Sequence, residues 1–423
     1  MDKAIRLTAD VSDEGRFHRQ ELIEWWDQGR LSRARVLVIG AGALGNEIIK
    51  NLALVGAGAV FVADMDRIEL SNLARSVLFR EEDIGRNKAE AASERAKSIC
   101  PEMRVQPFVG NIVHDLGAGV FHWADIVICG LDNREARVAV NRMCLKMGRP
   151  WIDGAIEGLG GVARIFLPDS GACYECTMNE TDWQMLEARR SCALLGRREM
   201  EAGRTPTTAT SSSIVAGFQC QEMLKYLHGL AVEGGTGLVI NGQMNDVYAV
   251  SYQRKDDCWA HETLDEVVEL QYDSQGVTIS GILDRARDDL GQDATLELSR
   301  EILYELECMN CGKRETVLLS LGKVTEDDAL CAQCGKARFP RLVHGVGDGG
   351  DWLERTPAEM GLPPFDVFVS RSGQCAVGYL LAGDAESVLG EVAPSANEKQ
   401  AAPAVGNGAG DSAQESGQGG QGP

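Results

Sequence analysis

Unbroken apolar runs and one glycine turn organise the first part of the chain. Arg35-Val-Leu-Val-Ile39 is apolar without alternation, the pattern of a strand buried on both faces. It runs into Gly40-Ala-Gly-Ala-Leu-Gly45, followed by apolar residues at helical spacing, Ile48, Ile49, Leu52 and Val55. A second run, Val60 to Ala63, ends in Asp64, so strand, turn, helix and strand make a βαβ unit with a right-handed parallel crossover. A third run, Ile126 to Cys129, stops at Gly130-Leu-Asp132-Asn. The pattern predicts a doubly wound, mainly parallel α/β sheet of Rossmann-like form, with ligands at the carboxyl ends of its strands.

The pattern changes further on. Residues 177–213 are rich in Arg and Glu, then in Thr and Ser, and predict a long exposed crossover loop closed by a helix from Ile214 to His228 that stops at Gly229. From 263 onward, short strand-like runs (Thr316 to Leu321, Asp366 to Ser370) surround cysteines and predict a smaller α+β module. Residues 391–423 are Gly, Ala, Ser and Gln rich, and with almost no large apolar side chain they predict a disordered tail. The expected organisation is an N-terminal helical segment 1–34, a main domain 35–262, a C-terminal domain 263–390 and the tail 391–423.

Composition narrows the function. The 423 residues include 42 Lys plus Arg against 63 Asp plus Glu, a net charge of −21, which excludes an extended nucleic-acid-binding surface. No apolar run reaches the ~18 residues of a membrane span, and Met1 to Arg19 is too polar for a secretory signal, so a cytoplasmic protein is expected. Thirteen cysteines without a signal peptide then point to metal sites or a reactive thiol and not to disulfides.

Spacing identifies one metal site directly. Cys308-X₂-Cys311 and Cys331-X₂-Cys334 have 19 residues between them and each is followed by Gly, which predicts a structural zinc ribbon over 308–334. Cys173-X₂-Cys176 and Cys258-X₂-His261 have 81 residues between them, too many for spacing to decide. Cys192 lies among Arg189, Arg190, Arg197 and Arg198, which favour a thiolate; the bland alternative is an unpaired surface thiol. Cys100, Cys129, Cys144, Cys220 and Cys375 read as small core residues.

Gly40, Gly42 and Gly45 suit a backbone that approaches a phosphate at a helix N-terminus, and Asp64 suits ribose hydroxyls of NAD or ATP equally well. Asp132 is either a turn-capping residue or a Mg²⁺ ligand beside polyphosphate.

The block Asp64-Met-Asp66-Arg-Ile-Glu-Leu-Ser-Asn72-Leu-Ala-Arg75-Ser76, then Asp83-Ile-Gly85-Arg-Asn-Lys88, resembles the ubiquitin-activating enzyme family, which includes the adenylyltransferases of the molybdopterin and thiamine sulfur-carrier proteins. The likeness covers about residues 16–262. It implies a doubly wound domain that uses ATP to adenylate the C-terminal glycine of a ubiquitin-like protein. It places Gly42, Asp64 and Asp66 on the nucleotide side, Asn72, Arg75 and Lys88 around the phosphates, and Mg²⁺ on Asp132. Ser76 stands where the family usually has Gln. Arg16-Phe-His-Arg19-Gln20 resembles the family's N-terminal element, which implies that Arg19 completes the site of the other subunit in a homodimer; the plain alternative is a solvated basic stretch.

The resemblance also implies zinc on Cys173, Cys176, Cys258 and His261, with His261 replacing a family cysteine, and makes Cys192 the thioester-forming nucleophile. A ubiquitin-conjugating-enzyme-like protein would then receive the acyl group. Competing expectations are a sulfur-carrier adenylyltransferase, an NAD-dependent dehydrogenase and a non-catalytic zinc-ribbon scaffold.

Overall fold

The structure, a computed structural model, describes residues 15–193, 206–324, 327–346, 350 and 352–394, with backbone alone for 187–193. Two short helices, α1 (His18–Glu21) and α2 (Gln28–Arg33), lead into the first sheet. Its strands β1 (Arg35–Ile39), β2 (Ala59–Ala63), β3 (Arg104–Phe108), β4 (Ile126–Cys129) and β5 (Trp151–Glu157) lie parallel in the order β3-β2-β1-β4-β5. Strands β6 (Gly160–Phe166), β7 (Thr236–Asn241) and β8 (Asp246–Ser251) extend it antiparallel beyond β5.

The helices that link and flank these strands are α3 (Ala43–Val55), α4 (Lys88–Ile99), α5 (Ala118–Trp123), α6 (Arg134–Lys146), α7 (Glu180–Ala193) and α8 (Ala209–Leu227). Val36, Val38, Val60, Val62, Ile126 and Ile128 pack on Ile48, Ile49 and Leu52 of α3, Ala92 of α4 and Val215 of α8. On the opposite face Leu37, Phe61 and Val127 are also fully buried, with the Phe61 ring 6.3 Å from Trp123 of α5. Burial on both faces is why these strands read as unbroken apolar runs.

The doubly wound expectation holds, with strand bounds within one residue of the predicted runs for β1, β2 and β4. The 177–213 segment differs from the long loop expected. Backbone from Glu180 to Ala193 is helical, and α8 starts at Ala209, five residues before the predicted Ile214. The Thr/Ser run that reads as a turn is a helix start: Ser211 N–H donates to Thr208 Oγ1 at 3.1 Å. Ser212 and Ser213 hydroxyls then reach back to carbonyls four residues earlier, each at 3.0 Å, and Ser213 Oγ also meets Glu47 Oε1 of α3 at 2.9 Å. Gly229, at φ 73°, ends the segment as predicted.

The second sheet comprises β9 (Glu266–Leu270), β10 (Thr295–Glu307), β11 (Arg314–Ser320), β12 (Phe339–Val346), β13 (Val367–Ser372) and β14 (Cys375–Leu381), ordered β11-β10-β13-β14-β9 with β12 also on β10. Its core joins Phe368 and Tyr379 to Ile282 and Leu283 of α9 (Ile279–Leu290); α10 (Ala385–Leu389) follows the last strand. The compact unit ends at Val392. Glu391 pairs with Lys97 and Val392 is buried, so these two residues, expected in the tail, belong to the fold; 395–423 lie outside the described residues. Cys100, Cys129, Cys144 and Cys220 are buried as expected, but Cys375 is exposed because it begins β14 at the β13–β14 hairpin, opposite Ser372.

A Cβ added at Gly45 would stand 1.8 Å from the Gly40 carbonyl oxygen, whereas one at Gly42 meets nothing within 4 Å. Overpacking of this kind costs about 1–3 kcal/mol or more. Gly45→Ala is therefore expected to lower the thermal midpoint by roughly 5 °C or more, and Gly42→Ala to leave it unchanged, in parallel melting curves.

Candidate active site and metal centres

The carboxyl ends of β1, β2 and β4 open into a cleft of about 1460 Å³. Its floor is the glycine turn, where the three glycines divide the work. Gly40 adopts φ 91° and Gly45 packs directly on its carbonyl, so both are needed for backbone contact. Gly42 is the N-cap of α3, makes no side-chain cap and faces open space, so the first amides of α3 have no side-chain cap there.

Asp64 leaves β2 and turns its carboxylate back on the turn. Its Oδ2 accepts from Ala41 N–H at 2.6 Å and its Oδ1 from Asp66 N–H at 2.8 Å. Burial pushes its pKa up, opposed by the Lys88 ammonium and these two amides. Two oxygens offer about four lone-pair positions, so capacity remains for hydroxyl donors. Lys88, whose side chain is 12% exposed at the start of α4, donates to Asp66 Oδ2 at 2.8 Å. An ammonium has three protons, so two remain for a ligand.

Asn72 is buried in a short 3₁₀ turn, where its Oδ1 accepts from Glu69 N–H at 3.0 Å. One turn on, Arg75 spends one N–H on the Ser71 carbonyl at 2.7 Å and keeps the rest of its guanidinium for the cleft. Ser76 is buried on the same wall. Asp132 follows β4 and is exposed. Helix α6 is capped by Asn133, whose Oδ1 accepts from Ala136 N–H at 2.8 Å, so the capping role weighed for Asp132 belongs to its neighbour. Among the described residues no cation pairs with Asp132, and a carboxylate without one on a polyanion-sized cleft fits a hard divalent ion such as Mg²⁺.

Gly40, Gly42, Asp64, Asp66, Asn72, Arg75, Lys88 and Asp132 thus line one cleft. Arg19 does not line the cleft of its own chain; it is exposed on α1. Cys192 falls in the last turn of α7, and its side chain lies outside the described residues.

Sequence reasoning missed a buried charge group beside the cleft. Asp153 accepts from Arg137 Nε at 2.8 Å and from Arg164 Nε at 3.1 Å. Arg137 also donates to the carbonyls of Leu131, at 2.6 Å, and Gly154, at 3.0 Å, which ties down the loop that carries Asp132. The available signal was a carboxylate inside the apolar strand Trp151-Ile-Asp153, because a buried charge requires a partner.

The two metal groups are assembled as the ligand types require. Cys173 Sγ lies 3.7 Å from both Cys176 Sγ and Cys258 Sγ, and Cys176 Sγ lies 3.3 Å from His261 Nε2. In the ribbon, Cys308 and Cys334 are 3.5 Å apart and Cys311 and Cys331 are 3.6 Å apart. With Zn–S near 2.3 Å, the edge of a tetrahedral site is about 3.8 Å, so both sets fit a closed zinc site. Each ribbon pair ends in the same turn: Gly312 N–H donates to the Cys308 carbonyl at 2.8 Å and Gly335 N–H to that of Cys331 at 2.7 Å, with φ 71° and 68°.

Cleft and fold together are those of a doubly wound α/β protein with its candidate site at the carboxyl ends of the strands. The ThiF family pattern matches residues 10–260, and the chain belongs to that family; two of its relatives are named as activating enzymes of the E1 kind. The SAMP-activating enzyme E1 of Haloferax volcanii is 33% identical over 268 residues, 60% of this chain and 90% of that relative. The Nedd8-activating enzyme E1 catalytic subunit of Drosophila melanogaster is 44% identical over 161 residues, 35% of this chain and 36% of the relative. The chain thus spans about a third of the length of that relative. Among solved structures, the Microcin C7 biosynthetic enzyme MccB in complex with N-formylated MccA shares the fold at 21% identity and TM-score 0.50, over 60% of this chain and 77% of that one. The second sheet lies wholly beyond the family match. Among the described residues no helix is long and apolar enough to cross a membrane.

Metal analysis of the purified chain is expected to return zinc for both groups, and Cys308→Ser with Cys331→Ser to return only half of it. Because structural zinc contributes folding energy, the same variant is expected to melt lower by calorimetry.

Proposed function

We propose that the chain is an ATP-dependent activating enzyme for the C-terminus of a ubiquitin-like protein. The observation that carries this reading is the meeting of Lys88, Arg75 and Asn72 with the uncapped start of α3 in one cleft, opposite the exposed Asp132. An NAD-dependent dehydrogenase has use for the glycine turn and Asp64 but not for this cationic set facing a carboxylate.

Adenylation is in-line attack of a carboxylate oxygen on the α-phosphate, with pyrophosphate leaving. The nucleophile is ionised at neutral pH, since a terminal carboxyl titrates near ~3.3–3.7, so no general base is required. What the site must supply is position and positive charge. Asp64 holds the ribose, the start of α3 receives a phosphate, and Arg75 and Lys88 neutralise the charge that develops as the phosphate bond breaks. Asn72 donates from its side-chain amide. Asp132 would hold Mg²⁺, which when bound offsets the repulsion between carboxylate and polyphosphate.

Thiolate attack by Cys192 on the acyl-adenylate then forms an Sγ–C bond and releases AMP, leaving a thioester for a conjugating-enzyme-like partner. Arg19 completes the site of the second subunit in a homodimer. The zinc groups are structural, because four protein ligands leave no open coordination position.

ATP–pyrophosphate exchange, measured with candidate carriers, tests the division of roles. Asp132→Ala is expected to reduce exchange by about 10²-fold or more. Cys192→Ala is expected to preserve exchange and remove a reductant-sensitive thioester. Equal loss in both variants overturns the assignments, and an adenylate that never passes to Cys192 indicates a sulfur-carrier adenylyltransferase.

A further inference from the structure

The cleft is lined entirely from the first sheet and its connections, yet one of its walls is gripped from outside by the C-terminal domain. That wall, residues 110–114, follows β3. It folds on itself around Asp115: Asn111 N–H donates to Asp115 Oδ2 at 2.8 Å, Asp115 N–H to the Asn111 carbonyl at 2.7 Å, and Val113 N–H to Asn111 Oδ1 at 2.9 Å. The other oxygen of Asp115 accepts from Lys323 Nζ at 2.6 Å, on the short turn after β11. Beside it Gly322 sits against His114 so closely that an added Cβ would lie 2.4 Å from the His114 Cβ.

The grip continues along the chain. Arg300 donates to the Leu116 carbonyl at 2.7 Å, Ala118 N–H to Asp366 Oδ1 at 2.8 Å and Gly119 N–H to the Phe365 carbonyl at 2.9 Å. A segment bonded only to itself would be free to shift as a unit, whereas this one is fixed to a second core at almost every position from 114 to 119. Its place in the cleft is also specific. Asp64 N–H donates to the Phe108 carbonyl at 3.1 Å, so the wall stands next to the carboxylate assigned to the ribose. The order β3-β2-β1-β4 puts it at the far end from Asp132.

We infer that the C-terminal domain sets the position of the nucleoside end of the cleft, with Gly322 and Lys323 as positioning residues for nucleotide binding. The inference rests on the reading of this cleft as an ATP site. The residues that do it lie beyond the family match at 10–260, so this wall is braced by a part of the chain that the family pattern does not include.

Calorimetric titration of the full chain with Mg·ATP, and separately with tripolyphosphate, tests the inference. The Lys323–Asp115 pair is partly exposed, with side chains 49% and 29% accessible, so Lys323→Ala is expected to weaken Mg·ATP about three- to fivefold and Lys323→Arg to restore it. Gly322→Val pushes on His114 and is expected to weaken Mg·ATP about tenfold or more. Tripolyphosphate, which lacks the nucleoside, is expected to bind all variants equally. Wild-type Mg·ATP affinity in both Lys323→Ala and Gly322→Val, or equal loss of tripolyphosphate, overturns the inference. If the unsubstituted chain binds no Mg·ATP, the nucleotide reading itself falls.

Discussion

One carboxylate joins the parts on which the cleft depends. Asp64 leaves β2 and accepts the Ala41 amide from the glycine turn and the Asp66 amide from the following loop, so strand exit, turn and loop are held as one piece. The turn can lie that close only because positions 40 and 45 carry no Cβ. Asp66, fixed in this way, holds Lys88 at the start of α4. Loss of that carboxylate would therefore disturb the turn, the loop and the ammonium together.

Arg75 and Lys88 place positive charge in the cleft of a chain of net charge −21, although acidic side chains line it as well. Electrostatic screening resolves the conflict, since interactions between exposed charges fade beyond about 8 Å at physiological ionic strength. A polyanion seated against Arg75, Lys88 and the start of α3 would meet these donors directly, while acidic side chains more than a Debye length away are largely screened. Burial strengthens the local effect: Lys88 is mostly covered, so its attraction is weakened less by water than that of a surface lysine. The neighbouring Arg137–Asp153–Arg164 group obeys the same rule, because its charges are affordable only when paired and hydrogen-bonded.

The second sheet adds mechanical definition and no cleft-lining residue. Its four-cysteine ribbon hangs between β10 and β12, and β11 within that region leads into the turn that carries Gly322 and Lys323. A ribbon of this size has a thin apolar core, so zinc held by its four cysteines would supply the rigidity that packing does not. With zinc bound, the chain would carry a stiff element to the edge of the cleft, where loops are otherwise the least constrained part of a doubly wound fold.

The parallel sheet, the glycine turn and the ribbon were legible in sequence because each depends on local pattern: unbroken apolar runs, residues without a Cβ, and short cysteine spacing. The helix over 180–193 and the early start of α8 were not, since Thr and Ser suit a turn and a helix cap alike and only the surrounding structure selects between them. Spacing also could not join Cys173 to His261 or Asp153 to its two arginines, nor reveal Lys323 on Asp115 across 208 positions. Those contacts are set by how sheets and helices pack in space, and a linear sequence records the chemistry of each side chain but not the distance between two that are far apart along it.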